Sequence, residues 1–377
     1  MSGKAPPLLL HVFSTFATGG AQMRFCAIAH HFGPAYRHAI IAMDGNTTCR
    51  ARLAPTLDVV FPETPLRKGE TLGNLRRIRA VLKQLRPDLL ITSNWGSIEW
   101  AMANAVFPLV PHLHMEDGFG PEERTRQIPR RVWLRRWSLR RSTVMLPSRT
   151  LWRIATEIWR LDPRRLRYIP NGVALARFAT PPGTPPPWAG KGLVVGTVAA
   201  LRAEKNIARL LDAFHRLDDT ARLVIIGDGP ERAALEARAQ TLGLAARVYF
   251  TGHIADPAPL YRFFDVFALS SDTEQMPLSV LEAMAAGCAV AACDVGDVRL
   301  MLAPDNAAFI TPCDDEALAR ALSGLLADRA LRTVIGAANR AKAEAEYDED
   351  VMFRAYADLF AELGAARHEG TGRSRLF

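Results

Sequence analysis

The chain has 377 residues, of which 49% are hydrophobic and 23% charged, and its formal net charge is +8. That length and balance fit about two globular domains and exclude a disordered chain, a collagen-like fibre and a small disulfide-stapled scaffold. The positive charge permits nucleic acid, anionic membrane or phosphorylated ligands, but no nucleic-acid-binding module is recognisable and no such partner is expected.

The five cysteines, Cys26, Cys49, Cys288, Cys293 and Cys313, are odd in number and form no CxxC pair. They read as buried thiols of a reducing compartment. The apolar run Leu8–Phe13 is too short for a signal peptide, and nothing approaches a membrane span. A cytoplasmic protein is expected, one that could still sit peripherally on the inner face of the membrane.

In chain order, Leu8–Phe13 reads as a buried strand leading into Thr18-Gly19-Gly20-Ala21 and a helix. Further strands are expected at His38–Met43, Leu89–Thr92, Leu109–Met115 and Thr143–Leu146, with a basic helix around Leu75–Leu85. Residues 180–190, with five prolines and two glycines, cannot form regular structure and mark a stiff linker. After it the alternation restarts: strands at Leu193–Ala199, Arg222–Ile226, Arg247–Thr251, Asp265–Leu269 and Ala289–Cys293, and helical spacing through Ile207, Leu210, Leu211 and Phe214. Strands alternating with helices on both sides of a linker predict an α/β protein of two doubly wound, Rossmann-like domains facing across a cleft. The expected divisions are a first domain at 1–178, linker 179–191, second domain 192–348, a returning helix 349–366 and a tail 367–377.

Four segments can carry chemistry. In SSDTEQMPLSVLEAMAAG, residues 270–287, Pro277 suits a helix start, which puts Glu274 in the loop before the helix and Glu282 on its second turn. There the free N–H groups and positive dipole end favour an anionic ligand; two such glutamates alone more often lie on a plain surface helix. In AALRAEKN, residues 199–206, Arg202 and Lys205 could clamp a diphosphate, or form a basic loop capped by Asn206. Gly19 and Gly20 allow close approach of a phosphate, or make a tight turn; Gly227-Asp228-Gly229-Pro230 reads as a turn. His112 and His114 fall at a strand end, where such folds bind ligands, though a strand-end histidine is more often structural.

Together, the E-x7-E pattern of Glu274 and Glu282, the LRAEKN loop, Ile169-Pro170-Asn171-Gly172-Val173 and Gly19-Gly20-Ala21 resemble, in order and spacing over residues 8 to about 362, a retaining glycosyltransferase of family 4 with the GT-B fold. The resemblance implies a nucleotide-sugar donor, UDP- or GDP-linked, held mainly by the second domain, and neither metal nor cofactor. It assigns Glu282 to the ribose hydroxyls, Glu274 to the donor sugar and Lys205 to the diphosphate. It gives Gln275, Met276, Pro277 and Leu278 to the loop whose amides touch sugar and phosphate, and His253 to the base-lining stretch. It places His114 near the transferred sugar, and Gly19 and Gly20 near the phosphates. The family's usual arginine is Ala200 here, so Arg202 is expected to supply that charge, and Gln275-Met276 replaces the usual Gly-Phe. Asp348-Glu349-Asp350 resembles a metal-binding D-x-D but reads as a solvated helix start.

Residues 124–141 hold eight arginines, no acid, and Trp133 and Trp137. Arg130, Arg131, Trp133, Arg135 and Trp137 are the expected contacts for a lipid-linked acceptor or anionic membrane, against a solvated basic helix with core tryptophans. The competing functions are a nucleotide-sugar epimerase of the same architecture and a non-catalytic membrane-surface binding protein.

Overall fold

Uninterrupted apolar strands need cover on both faces, and parallel sheets wrapped by helices supply it. The computed structural model describes residues 5–372 apart from 65, 68, 120, 124, 125, 180–184, 191 and 219. It divides into two units, residues 1–170 with 353–377, and residues 171–352.

The first unit contains β1 (Leu8–Phe13), β2 (Arg37–Ala42), β3 (Val59–Val60), β4 (Leu89–Ser93), β5 (His112–Met115), β6 (Thr143–Leu146) and β7 (Leu166–Tyr168). They form one sheet in the order β3-β2-β1-β4-β5-β6-β7, every pairing parallel. Alternate residues of one strand serve opposite layers. Leu10 and Val12 pack with Ile78, Leu82 and Trp100, whereas Phe13 packs with Phe25, Cys26 and Ala29 of the helix Gly20–Phe32.

The second unit contains β8 (Leu193–Val198), β9 (Ala221–Ile226), β10 (Val248–Gly252), β11 (Val266–Leu269), β12 (Ala289–Cys293) and β13 (Ile310–Thr311). Their order is β10-β9-β8-β11-β12-β13, again all parallel. Phe267 and Val290 face a cluster with Tyr261 and Met284. Val266 and Ala289 face another with Leu210, Phe214 and Leu322. Two doubly wound α/β sheets, as the sequence predicts, are therefore present.

Several boundaries differ from expectation. The first unit ends at Pro170, before position 178, because Asn171–Phe178 pack with residues of the second unit: Val173 bridges to Asp348, and the buried Phe178 ring meets Tyr261 at 5.8 Å. Part of the expected linker, 180–184 and 191, lies outside the described residues; Trp188 is buried and packs on Phe263 and Phe264. Leu109 and Val110 do not extend β5, because Asn104 takes their backbone groups: Oδ1 accepts from Leu109 N at 2.9 Å and Nδ2 donates to Val110 O at 2.9 Å. The last helix runs Glu349–Gly372, past the expected end at 366, and 373–377 lie outside the described residues. Its residues from Phe353 on belong to the first unit, where Phe353 stacks on His31 at 4.0 Å. At its head Asp350 N donates to Asp348 Oδ1 at 3.0 Å, a capping contact.

Candidate active site

Doubly wound sheets bind ligands beyond the carboxyl ends of their strands, where strand order reverses. In the second unit that point lies between β8 and β11, and the loops after these two strands hold Lys205 and Glu274. Lys205 closes the short turn Ala203–Lys205 after β8. Its Nζ lies 2.5 Å from Glu274 Oε1 in the loop after β11, and Ser271 Oγ donates to the same oxygen at 2.8 Å. Asp272 N donates to Glu204 O at 2.9 Å, and Ser270 Oγ to Lys205 O at 3.1 Å. Arg209 pairs with Asp272 at 2.6 Å and donates to Ser270 O at 2.8 Å. The two loops thus form one braced platform.

The platform leads into the helix Leu278–Ala285, with Pro277 at its cap in extended conformation. Its first amides lack intrahelical partners and give the site a positive end. Glu282 lies on the second turn. Burial holds its carboxyl above the usual carboxylate range, and a hydrogen bond from Tyr261 pulls the other way; Tyr261 OH donates to Oε2 at 2.6 Å. Gln275 and Met276 are fixed from behind. Asn171 Nδ2 donates to Met276 O at 3.0 Å, and Asp297 N to Gln275 O at 2.9 Å.

Lys205 thus meets Glu274 directly, and Gln275, Met276, Pro277 and Leu278 continue that loop into the helix that carries Glu282, with Met276 and Pro277 buried. Arg202 is exposed at the head of the Lys205 turn, and His253 is exposed after Gly252 at the end of β10. Gly19 and Gly20 belong to the first unit: Gly19 caps the helix that Gly20 begins, after β1, which borders that sheet's own reversal.

His114, also in the first unit, is fully buried at the end of β5. Thr92 Oγ1 lies 2.8 Å from both His114 Nδ1 and His112 Nε2, and His112 Nδ1 lies 2.7 Å from Ser142 Oγ. His114 Nε2 faces Glu116 at 3.5 Å. Glu116 in turn faces Arg135 Nε at 3.4 Å, while Arg135 forks onto Glu123 at 3.1 and 3.0 Å.

This corrects the expectation that Arg135 meets a membrane or acceptor. Its guanidinium is 0% exposed and is caged by Trp95, Phe119 and Trp159. Arg131 is partly buried and pairs with Glu122 at 2.5 Å and Glu123 at 3.2 Å. On the same helix, Pro129–Leu139, Arg130 is exposed. Trp133 is 61% exposed and stacks on Trp137 with ring centroids 6.4 Å apart.

Sequence reasoning missed Ser271, Asp272, Arg209, Asn171 and Tyr261 as supports of the site. Asn171 stands in the Ile169–Val173 run that carries part of the resemblance, but that run gave it no role. Ser271 and Asp272 stand in the 270–287 segment, likewise without a role, and Arg209 and Tyr261 carried no local signal, their partners lying 63 and 21 residues away.

The family described as "Glycosyltransferase Family 4" matches residues 18–177, and "Glycosyl transferases group 1" matches residues 185–342. The chain is 29% identical over 207 residues to the lipopolysaccharide core biosynthesis glycosyltransferase LpsE of Rhizobium meliloti, covering 52% of this chain and 58% of that protein. It is 34% identical over 159 residues to a GDP-mannose-dependent alpha-mannosyltransferase of Mycolicibacterium smegmatis, covering 41% and 38%. These alignments span less than two thirds of either relative. Anabaena HepE in complex with UDP superposes with a TM-score of 0.79 at 20% identity, covering 94% of this chain and 100% of that one. The two family matches adjoin across most of the chain, so its first part is that of a family 4 glycosyltransferase and its second that of a group 1 glycosyl transferase.

Proposed function

We propose that the chain is a retaining glycosyltransferase that moves a hexosyl group from a UDP- or GDP-linked sugar to a hydroxyl acceptor in glycolipid or polysaccharide assembly. The observation that carries this reading is the Lys205–Glu274 pair, joining two loops at the strand-order reversal beside a helix N-terminus. As the glycosidic bond breaks, negative charge grows on the nucleoside diphosphate. Lys205, Arg202 and the first amides of the helix Leu278–Ala285 stabilise it in place of a metal ion. Glu274 takes the sugar hydroxyls and Glu282 the ribose, with the main chain of 275–278 lining the phosphates and His253 standing beside the base. Within the first unit, Gly19 and Gly20 turn the chain into its first helix and His114 has its imidazole between Thr92 and Glu116. Retention follows from front-face attack, with the leaving diphosphate accepting the acceptor's proton.

A ligand that binds only the folded state raises its apparent stability, so a thermal-shift panel of nucleotide-sugars identifies the donor. Lys205→Ala is expected to lower kcat by about 10²–10³, and Glu282→Ala to lose the donor-induced shift. Activity is expected to persist in a chelator. Epimer formed without any acceptor, or an unchanged shift in Glu282→Ala, overturns the reading.

We also propose that the helix Pro129–Leu139 rests on an anionic membrane surface. Its stacked Trp133 and Trp137 supply an amphipathic anchor, and Arg130, with Arg140 and Arg141 just beyond the helix, the countercharge. Co-sedimentation with anionic but not neutral liposomes, lost in Trp133→Ala, is the expected result; equal absence of binding to both refutes it.

A further inference from the structure

We infer that Tyr261 is a positioning residue for the nucleotide site, acting through Glu282. The inference rests on the donor role proposed for Glu282 and assigns Tyr261 the task of keeping that carboxylate ionised and aimed. Tyr261 lies on the short helix Ala258–Phe263 and is fully buried. Its ring packs among Phe178, Phe264 and Phe267, with centroids 5.8, 5.5 and 5.7 Å away. These surroundings are apolar, so a phenylalanine would fill the same space. The hydroxyl donates to Glu282 Oε2 at 2.6 Å, a length typical of an O–H bound to a carboxylate.

The chemistry of the pair follows from its burial. A buried carboxylate drifts toward its neutral form, which gives up one of its acceptor oxygens. A hydrogen bond from a neutral phenol favours the ionised form. Tyr261 does not surrender its own proton, because burial and then the Glu282 charge hold it well above the usual phenol range. The bond leaves Glu282 with its other oxygen, and a remaining lone pair on Oε2, for a vicinal diol such as a ribose presents. Around the pair, Arg177 favours the charged form of Glu282 and Asp256 opposes it. These two form an ion pair with each other on the exposed side, so their fields on Glu282 partly cancel. On the inner side Cys288 Sγ donates to Tyr261 O at 3.4 Å, and burial pushes its thiol up to about 12, so no charge arises there near neutrality. Tyr261 is then the chief group that opposes the effect of burial on Glu282.

The test is a double-mutant cycle of Tyr261→Phe and Glu282→Gln, read by donor KM, kcat and nucleoside-diphosphate affinity from pH 5.5 to 8.5. Tyr261→Phe is expected to raise donor KM about tenfold or more, the usual worth of a hydrogen bond to a charged group, with kcat falling far less. Its affinity is expected to decline toward acid from a higher pH than in the parent enzyme, because Glu282 then protonates more readily. In the Glu282→Gln background the same change is expected to add almost nothing. Additive losses, or a Tyr261→Phe enzyme with unchanged KM and pH profile, overturn the inference. If Glu282→Gln itself leaves nucleotide affinity intact, the donor site has been misplaced. If Glu282→Gln weakens it and Tyr261→Phe does not, only the role of Tyr261 fails.

Discussion

Arg135 sits between two carboxylates, Glu116 and Glu123, whose side chains are as fully buried as its own. Taking such charges out of water is costly, and breaking a buried pair from one side leaves the remaining charge without compensation. Arg135→Leu leaves Glu116 without an arginine and Glu123 with Arg131 alone, and is expected to cost about 3–5 kcal/mol of stability by urea unfolding. Arg130→Leu, on the same helix but exposed, should stay within about 0.5 kcal/mol; equal losses would contradict the caged assignment. The sequence presents these two arginines alike, because eight arginines spread around a helical wheel reveal no buried face. Glu116 stands 19 positions earlier in the chain, and only the fold brings it to Arg135. Lys205 and Glu274 were more legible, not from spacing, since 69 residues separate them, but because each stands in a segment whose type resembles a known family.

At the scale of elements, the loop after β11 matters most, and its shape is imposed by segments behind it. Gly296 has φ of +56°, and a Cβ there would fall 2.4 Å from Glu274 O and 2.7 Å from Gln275 O. Both partners are backbone, so neither can swing aside, and the left-handed backbone adds its own strain. Gly296→Ala is therefore expected to displace the donor loop and weaken nucleoside-diphosphate affinity at least tenfold, measured by calorimetry. An unchanged affinity would show that the loop is not held from this side. Strand positions were readable wherever a strand is a continuous buried apolar run: β1, β6 and β12 fall on the residues expected. The edge strands β3 and β13, of two residues each, and β7, of three, carry too little pattern to be seen. The 109–110 segment looked like strand because its residues are apolar; a side-chain amide, Asn104, decided otherwise.

For the whole molecule, the two units should differ in their response to acid. His11, His38 and His112 all lie buried in the first unit, His11 against His38 and His112 between Thr92 and Ser142. Burial, then the neighbouring His38, holds His11 well below the usual imidazole range. Burial lowers His38 to about 4 against the opposing pull of Asp58, and burial, then His114, lowers His112 to about 3. An unfolded chain protonates these histidines near pH 6.5. Their contribution to stability is thus fully present above that pH. It falls below it by up to about 1.4 kcal/mol per pH unit for each, levelling off for His38 and His112 only near their folded values. In the second unit Glu282 has the opposite sign: its raised folded value means that acid favours the folded form. Lowering the pH from 7.5 to 5 should therefore strip hydrogen-exchange protection from β1, β2 and β5 while β8, β9 and β11 keep theirs, the units opening separately. His112→Asn, which keeps polar atoms in place of the imidazole but cannot protonate, should flatten the acid limb of the first unit by about one proton's worth of slope. Loss of protection in the second unit first, or an acid limb unmoved by His112→Asn, would mean that other groups govern the acid response.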